Sequence, residues 1–427
     1  MYQKIKGTND FFEDFVLKKR YIESVAKEVS KSYNIGEMIT PIFESTDVFV
    51  RSSGDGSDVV TKEMYTFKDK GEKSLTLRPE GTASIVRCFL ENKLYATPGL
   101  KKYFYYGPMF RYERPQKGRY REFNQFGIEF FGDSSYFLDA DLIVLASTIF
   151  NKLGLSGKYR VCLNTIGDFE SRSNYQKALK EYFSNKIDLL CNDCKVRLNK
   201  NPMRILDCKV DRDSEVLKNA PKIKDYLNQA SLDYFNNLTK VLDKLGVDYY
   251  VDDNLVRGLD YYTDTVFEFI VRDINNGKDD NLLAGIAMAA GGKYADLVKN
   301  FGGPDTPGIG FAFGVERIIE LMDYFNLYPE DLFNKVDITL ITLDDESKTY
   351  GLKLANDLRK EGIVVEMDYV NNSMKPQFKL SERNNSKYVG IIGETERNEG
   401  IITLKDTINR TQENIKVCDL IKKLRGE

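Results

Sequence analysis

Apolar residues recur along this chain at two spacings, and the spacing changes from segment to segment. Near the N-terminus Tyr21, Val25 and Val29 share one helical face, which predicts a helix from about residue 11 to 33 with Asp10 as its N-cap. A short extended piece is expected at 37–43, near Pro41, and segments of strand character follow at 74–77, 102–106, 109–113 and 119–131. The first third of the chain is therefore predicted to combine one long helix with several strands.

The middle of the chain has a different pattern. Between about residues 174 and 245, leucine recurs at helical spacing among lysine, asparagine and aspartate, which predicts a helical insertion. Strand character returns at 260–271. A glycine-rich stretch at 291–310 then leads into a helix predicted at 315–325.

After Pro329 strands and helices alternate regularly. Strands are predicted at 336–343, 363–370, 388–393 and 401–406, and helices at 347–362, 376–387 and 413–424. Strands that alternate with helices indicate a separate small α/β domain. We therefore predict an α+β protein with two domains, at 1–325 and 333–427.

Composition and charge narrow the class of protein. Apolar residues make up 42% of the chain and charged residues 30%, as in ordinary globular proteins. The sequence has neither a run of about 18 apolar residues nor a signal-peptide pattern at its N-terminus, so we expect no membrane partner and a cytoplasmic location. The net charge of -3 argues against a broad basic surface for nucleic acid but leaves room for local basic patches.

The chain contains no histidine, which excludes Ser–His and Cys–His nucleophiles and any histidine-ligated metal. Catalysis must then use carboxylates, arginine, lysine, tyrosine, backbone groups or a metal held by oxygen. The six cysteines are too sparse for a disulfide framework. Cys191 and Cys194 form a C-x-x-C pair that Cys208 follows, but no histidine completes a zinc site. Reduced, unligated thiols are the favoured interpretation, and no metal site is predicted.

The segment FRYERPQKGRYREFNQFGIEFF, residues 110–131, carries the strongest chemical signal. Pro115 and Gly118 mark a hairpin loop between two strand-like runs. Alternation along the second run predicts an apolar core face and an opposite polar face rich in arginine. Arginine matches the geometry of phosphate oxygens, so this face suits a triphosphate or an acyl phosphate. A solvated face with charge pairs is an equal alternative for this segment alone.

Three other segments could bear chemistry, and each has a structural alternative. RGLDYYTDTVFEF (257–269) offers an arginine and two tyrosines, or a hairpin edge with half-buried rings. GGPDTPGIGFAFGVERI (302–318) offers a glycine-rich approach to a helix N-terminus, or tight packing of a strand on a helix. TLRPEGTAS (76–84) offers a carboxylate for an ammonium group, or a helix start with Pro79 at the first turn and Glu80 near the positive end, and both can hold together.

The order of these segments resembles the three motifs of class II aminoacyl-tRNA synthetases. The four sequences closely resemble the histidyl-tRNA synthetase family, and RGLDYYT is the most specific of them. KGTNDFF near the N-terminus and NPMRILDCK in the insertion are also similar, so the resemblance covers essentially the whole chain. It implies a class II antiparallel sheet flanked by helices, a helical insertion at about 174–245 and a C-terminal anticodon-binding domain.

The resemblance also implies an activity: ATP-dependent attachment of L-histidine to tRNA(His) through a histidyl-adenylate. ATP would be a substrate, Mg²⁺ would bridge its phosphates, and the enzyme would be a homodimer. One alternative stays open, a non-catalytic paralogue that binds histidine and regulates a biosynthetic enzyme. Such relatives usually lack the anticodon-binding domain and lose motif residues, which this chain keeps.

Individual residues take their expected roles from the same resemblance. Arg111 and Arg257 are the expected catalytic arginines at the α-phosphate, and Arg317 is expected on the γ-phosphate. The residues implied for ATP are Arg111, Glu113, Arg119, Phe123 and Arg317. Those implied for histidine are Glu80, Thr82, Gln125, Arg111 and Arg257 around its amino and carboxylate groups, and Glu129, Tyr261 and Tyr262 around its side chain. Those implied for the tRNA acceptor end are Arg114, Gln116 and Lys117.

The chain departs from the family pattern at three positions. Lys293, in GGKYAD, stands where an arginine is common, and it lacks the planar fork of a guanidinium. Tyr112 and Asn124 stand where relatives often carry histidine. We expect none of these three positions to be essential to the chemistry.

Overall fold

A computed structural model describes residues 2–53, 57, 59–115, 118–257, 261–273, 283–333 and 336–426. The chain divides into two compact units, Met1–Leu327 and Tyr328–Glu427. No helix within the described ranges combines the length and the apolar composition needed to cross a bilayer.

The first unit is built on an eight-stranded sheet with the order β1-β5-β6-β11-β10-β9-β7-β8. Its strands are β1 (Gly36–Glu37), β5 (Lys101–Phe110), β6 (Glu122–Phe131), β7 (Tyr159–Thr165), β8 (Tyr249–Val251), β9 (Thr263–Val271), β10 (Ala287–Tyr294) and β11 (Gly308–Gly314). The six central strands pair antiparallel, as expected, but β1 and β8 pair parallel with their neighbours. The sheet is therefore mixed. For β8 the reason is the length of the connection, because the helical insertion between β7 and β8 is long enough to return a strand in parallel.

Among its described residues the first unit also contains a three-stranded sheet and ten α-helices. The small sheet has the order β2-β4-β3 and consists of β2 (Phe43–Ser45), β3 (Tyr65–Lys68) and β4 (Ser74–Leu77). The helices are α1 (Asp14–Ser32), α2 (Thr46–Ser53), α3 (Thr82–Glu91), α4 (Tyr136–Lys152), α5 (Phe169–Ser184), α6 (Asn192–Lys200), α7 (Glu215–Lys218), α8 (Gln229–Lys244), α9 (Leu297–Asn300) and α10 (Val315–Phe325).

Two expectations for the first unit are wrong in detail. Asp10 does not cap the first helix, because α1 begins at Asp14 and Glu13 occupies the N-cap position. The two strands expected at 102–106 and 109–113 are one strand, β5. Gly107 and Pro108 do not break it, because Arg78 donates from Nε to the Pro108 carbonyl at 2.8 Å and both residues stay in register with β6.

Strand β6 lies at the centre of the core and has the predicted two faces. Phe126, Ile128 and Phe130 are fully buried on one face. Phe126 stacks between Phe104 and Phe313, with ring centroids 5.3 and 5.5 Å away. The helices α1, α4 and α10 cover this apolar face. The opposite face of the sheet, which carries the polar residues of β6, is left for a ligand site.

The helical insertion lies between β7 and β8 and comprises α5, α6, α7 and α8. Its first helix begins at Phe169, five residues before the expected start at about 174. Asp168 is the N-cap and accepts from the Ser171 N–H at 2.9 Å. An aspartate that satisfies an unpaired first-turn N–H is a sufficient local reason for the helix to start there.

The second unit holds a five-stranded sheet with the order β13-β12-β14-β15-β16. Its elements are β12 (Val336–Thr342), α11 (Asp345–Lys360), β13 (Val365–Met367), α12 (Met374–Arg383), β14 (Ser386–Ile392), α13 (Glu394–Glu399), β15 (Ile401–Asp406), β16 (Thr411–Lys416) and α14 (Leu420–Arg425). The helix expected at 413–424 is wrong over its first part. Asp406 accepts from the N–H groups of Ile408 and Asn409, and this turn returns residues 411–416 as a strand against β15.

Candidate active site

The polar face of the eight-stranded sheet forms the floor of a cavity of about 430 Å³. It is lined by all twelve of the described residues implied for histidine and ATP: Glu80, Thr82, Arg111, Glu113, Arg119, Phe123, Gln125, Glu129, Arg257, Tyr261, Tyr262 and Arg317. Arg114 is exposed and is not part of this lining. Gln116 and Lys117 lie outside the described residues. Residues from the four sequence segments 76–84, 110–131, 257–269 and 302–318 thus meet at one place.

Three arginines, Arg111, Arg119 and Arg317, lie close together on one side of this cavity. Arg111 donates from Nε to the Pro79 carbonyl at 2.8 Å and lies 5.3 Å over the ring of Phe123. Arg317 donates to the Gly118 and Ala287 carbonyls. These carbonyls fix both guanidinium groups without cancelling their charge. This side of the cavity is therefore an anion site.

Two carboxylates, Glu113 and Glu320, act on these arginines and favour the charged form of Arg317. Glu113 is 3.8 Å from Arg111 and 3.4 Å from Arg119. Burial lowers the pKa of Arg317, and the nearby charge of Arg119 lowers it further. Cations that disfavour each other's charge are stabilised by an incoming anion. The group is thus arranged to receive a polyanion such as a triphosphate.

Arg257 approaches the cavity from the segment before β9. Its guanidinium contacts the Glu268 carboxylate and lies 5.5 Å over the Tyr262 ring. Burial opposes its charge, but Glu268 and then Tyr262 outweigh that effect and raise the pKa of Arg257. Its Nε atom is buried and has no hydrogen-bond partner among the described residues. A buried donor without a partner is costly, and a ligand oxygen would satisfy it.

Glu80 both begins a helix and lines the cavity. Its carboxylate accepts from the N–H groups of Thr82 at 2.6 Å and Ala83 at 2.9 Å, so it caps the first turn of α3. Burial raises the pKa of Glu80, although these N–H groups act against the rise. A helix does start in this segment with Glu80 near its positive end, but Pro79 is not in the first turn, because α3 begins at Thr82. The same carboxyl group is also placed to meet a ligand.

Glu129 projects from the middle of β6 and is fully enclosed. It accepts from the Thr82 hydroxyl at 2.6 Å and the Tyr294 hydroxyl at 2.6 Å. Burial raises the pKa of Glu129 to about 8, even though these two hydrogen bonds favour the charged form. Gly310 on the adjacent strand leaves the space for this carboxylate, because a Cβ at that position would overlap it. The carboxyl group can accept a further hydrogen bond from a polar ligand.

Aromatic rings form the rest of the enclosure. Tyr261 and Tyr262 lie with ring centroids 4.6 Å apart, and Tyr261 meets Tyr294 edge-on at 5.6 Å. Tyr105 donates from its hydroxyl to Gln125 at 3.1 Å, and its ring occupies space that Gly127 leaves free. This end of the cavity suits a small planar group with polar atoms on its edge.

Several lining residues were not identified from the sequence. Tyr105, Tyr294, Arg204 and Glu268 all line the cavity. Glu268 had a usable signal, because it is the one charged residue in the apolar run VFEFIV. Arg204 lies in NPMRILDCK, a segment that resembles the family, but the resemblance gave it no role, and only the packing of the insertion brings it to the site.

Two of the departures have structural roles. Lys293 is buried outside the cavity lining, 3.4 Å from Asp264 and 4.3 Å from the ring of Tyr234. Asn124 donates from its side chain to Glu316 at 2.7 Å, and this hydrogen bond joins β6 to α10. The contacts of Lys293 and Asn124 support the expectation that they are not essential to the chemistry, which stays a prediction.

Comparisons with known proteins agree over the whole chain. The profile of the histidyl-tRNA synthetase family matches residues 8–318, and that of the anticodon-binding domain matches residues 337–427. A histidine–tRNA ligase of Staphylococcus carnosus is 45% identical over 417 residues, which are 97% of this chain and 96% of the relative. One of Bacillus licheniformis is 46% identical over 421 residues, 98% of this chain and 97% of the relative. The crystal structure of apo S. aureus histidyl-tRNA synthetase superposes with a TM-score of 0.83 at 37% identity, covering 100% of both chains.

Proposed function

Because the chain belongs to the histidyl-tRNA synthetase family, we infer that it catalyses the ATP-dependent attachment of histidine to tRNA. In the first step the histidine carboxylate attacks the α-phosphorus of ATP, and pyrophosphate leaves. In the second step a terminal ribose hydroxyl of the tRNA attacks the carbonyl carbon, and AMP leaves. The observation that carries this proposal is a single cavity with arginines at one end and a buried carboxylate among tyrosines at the other.

The arginines are proposed to stabilise the charge that moves during the first step. Arg111 and Arg257 would contact the α-phosphate and the attacking carboxylate, whereas Arg317 would hold the γ-phosphate. Nucleotidyl transfer depends on positioning and charge stabilisation more than on covalent catalysis. The unpartnered Nε of Arg257 and the carbonyl-anchored Arg111 support these roles. Phe123 would support the adenine, with Glu113 and Arg119 beside the nucleotide.

The opposite end is proposed to select histidine. Neutral imidazole has one donor and one acceptor nitrogen, and Glu129 and Tyr262 would satisfy one each. Glu80, Thr82 and Gln125 would hold the α-amino group. A site of this kind rejects apolar amino acids strongly, because they leave its buried polar groups without partners. The enclosure of Glu129 and Tyr262 supports this assignment.

We further propose that Mg²⁺ accompanies ATP. The ion prefers oxygen ligands and usually combines a few carboxylates with phosphate oxygens. Glu113 and Glu268 are carboxylates in the cavity lining, so they offer the kind of oxygen ligand that Mg²⁺ prefers. When bound, Mg²⁺ would help neutralise the triphosphate.

The tRNA is proposed to contact both units. Arg114, Gln116 and Lys117 would meet the acceptor end, and the exposure of Arg114 is consistent with that role. Residues 337–427 would bind the anticodon, and residues 174–245 would form an insertion belonging to the catalytic domain. Because charged tRNA is used in translation, we place the reaction in the cytoplasm.

A homodimer is proposed from the surface of the first unit. Ile39, Ile42, Phe43 and Phe67 cluster near the small sheet and are 80%, 45%, 52% and 44% exposed. Clustered exposed apolar side chains are typical of an interface. Sedimentation equilibrium tests the proposal, since a particle with the mass of one chain would exclude it.

ATP–pyrophosphate exchange with each of the twenty amino acids tests the substrate. We expect exchange with histidine alone. This assay also separates the two functions considered, because a regulatory paralogue would bind histidine and give no exchange. A folded protein that binds histidine without exchange with any amino acid would overturn the catalytic proposal.

A further inference from the structure

Four potential metal ligands meet inside the helical insertion, away from the cavity described above. They are Cys191, Cys194, Cys208 and Asp211, and their ligand atoms all lie within 4.8 Å of one another. The sulfur atoms of Cys191 and Cys208 are 3.6 Å apart. Zinc–sulfur bonds of about 2.3 Å in a tetrahedron place two sulfur atoms about 3.8 Å apart. The spacing is therefore that of ligands around a single small ion.

The ligands come as two pairs with the same spacing, C-x-x-C and C-x-x-D. Cys191 is the N-cap of α6 and Cys194 lies in its first turn. In the second pair, the Asp211 N–H donates to the Cys208 sulfur at 3.4 Å. The Cys191 N–H in turn donates to the Asp211 carboxylate at 3.1 Å, which links the two pairs. Such backbone N–H bonds orient metal ligands and stabilise their negative charge.

Burial and charge point to a cation at this place. Cys194 is 0% exposed, Cys208 4% and Asp211 8%. Among the residues that the structure describes, no lysine or arginine forms an ion pair with Asp211. Burying a carboxylate is unfavourable unless it is paired or binds a metal. A divalent ion bound to the Asp211 carboxylate would meet this condition.

We propose that Cys191, Cys194, Cys208 and Asp211 bind one structural zinc ion. Three sulfur ligands favour zinc over magnesium or calcium, and four protein ligands leave no open position for catalysis. On binding, the three thiols release their protons to solvent, so the ion, three thiolates and one carboxylate carry a net charge of −2. The sequence-based prediction of unligated thiols assumed that the fourth ligand had to be histidine. A carboxylate supplies it instead.

The zinc site would fix one wall of the catalytic cavity. Arg204 lines that cavity, and only residues 205–207 separate it from Cys208 of the second ligand pair. Cys208 and its neighbours Leu206 and Lys209 also line an adjoining cavity of about 740 Å³. A metal that links two separate segments of the chain adds rigidity to the residues around and between them. The ion would therefore position Arg204 without taking part in the reaction.

The test begins with the metal content of the full-length wild-type chain, purified under reducing conditions without chelator and measured by elemental analysis. We expect a zinc-to-chain ratio of about one, as a closed four-ligand site requires. Cys208→Ser and Asp211→Asn should both lower that ratio. Cys162→Ser is the matched control, because Cys162 is also buried but lies outside the cluster, and it should keep the wild-type ratio.

Cobalt substitution provides a readout that does not depend on the stability of a variant. Tetrahedral cobalt with thiolate ligands absorbs strongly in the visible and near ultraviolet, so wild-type protein refilled with Co²⁺ should become coloured. Wild-type protein that binds neither zinc nor cobalt under reducing conditions would overturn the proposal. So would a Cys191–Cys208 disulfide in the native protein, or zinc retained by Cys208→Ser at the wild-type ratio.

Discussion

Arg257 illustrates how one residue is prepared for catalysis by its neighbours. Glu268 keeps its guanidinium charged in a buried place, and Tyr262 supports it from one side. Nothing in the described part of the chain accepts from its Nε atom. A preorganised cation of this kind stabilises charge that develops on the α-phosphate without the cost of reorienting water.

Replacing Arg257 should therefore affect the chemical step more than histidine binding. We expect Arg257→Ala to lower the kcat of histidine-dependent pyrophosphate exchange by about 100-fold or more, a loss typical of removing one such donor. Arg160→Ala is the control, since Arg160 lies on the same sheet and pairs with Asp248 near the surface. Exchange by Arg257→Ala within a few fold of wild type would remove Arg257 from the mechanism.

Glu129 predicts a dependence of stability on pH. Its pKa is about 8 in the folded protein because burial favours the protonated form, against 4.5 for an ordinary glutamate. The folded state thus keeps a proton that the unfolded chain releases between these values. This contribution to stability is complete below pH 4.5 and is lost as the pH rises through 8.

Glu129→Gln isolates this effect, because glutamine does not titrate. The free energy of unfolding of wild type relative to the variant should fall from pH 5 to pH 8, by at most about 1.4 kcal/mol per pH unit. Urea denaturation of both proteins at several pH values measures the difference. A constant difference across this range would mean that Glu129 is ionised throughout.

Single residues could be predicted where a motif fixes both identity and position. All twelve described residues expected at histidine and ATP line one cavity. Tyr105 and Tyr294 could not be found in this way, because their places depend on glycines of neighbouring strands. Gly127 and Gly308 leave room for their rings. That complementarity arises between paired strands, where Tyr105 lies opposite Gly127 and Tyr294 opposite Gly308, and the pattern within a single strand does not reveal it.

At the scale of elements, local sequence patterns are sufficient to predict an element where one of its sides is buried. The alternation of β6 predicted its two faces, and the helix predicted at 315–325 is α10. The same approach failed at 413–424, where an exposed edge strand has no apolar face to reveal its period. Turn residues decided the structure there instead, because the Asp406 turn pairs β16 with β15.

The insertion gives a second lesson at this scale. Its helices were predicted from leucine spacing, but the grouping of its cysteines with Asp211 was not. The two ligand pairs are separated by 13 residues, 195–207, and only folding brings them together. A search for ligands confined to cysteine and histidine could not have included the carboxylate.

At the scale of the whole molecule, the chain forms two compact units. The sheet of the first unit carries the cavity, with apolar helices on one face and polar side chains on the other. The second unit has its own core, built around Ile338, Leu340 and Ile402. Two independent cores fit an enzyme that activates an amino acid in one unit and recognises tRNA with the other.

The most direct test of this account is transfer of labelled histidine to a tRNA(His) transcript by the purified chain. We predict ATP-dependent formation of histidyl-tRNA, with one AMP and one pyrophosphate released for each histidine transferred, and no transfer of the other amino acids. Absence of histidyl-tRNA from a reaction in which the folded protein binds both histidine and the transcript would contradict it.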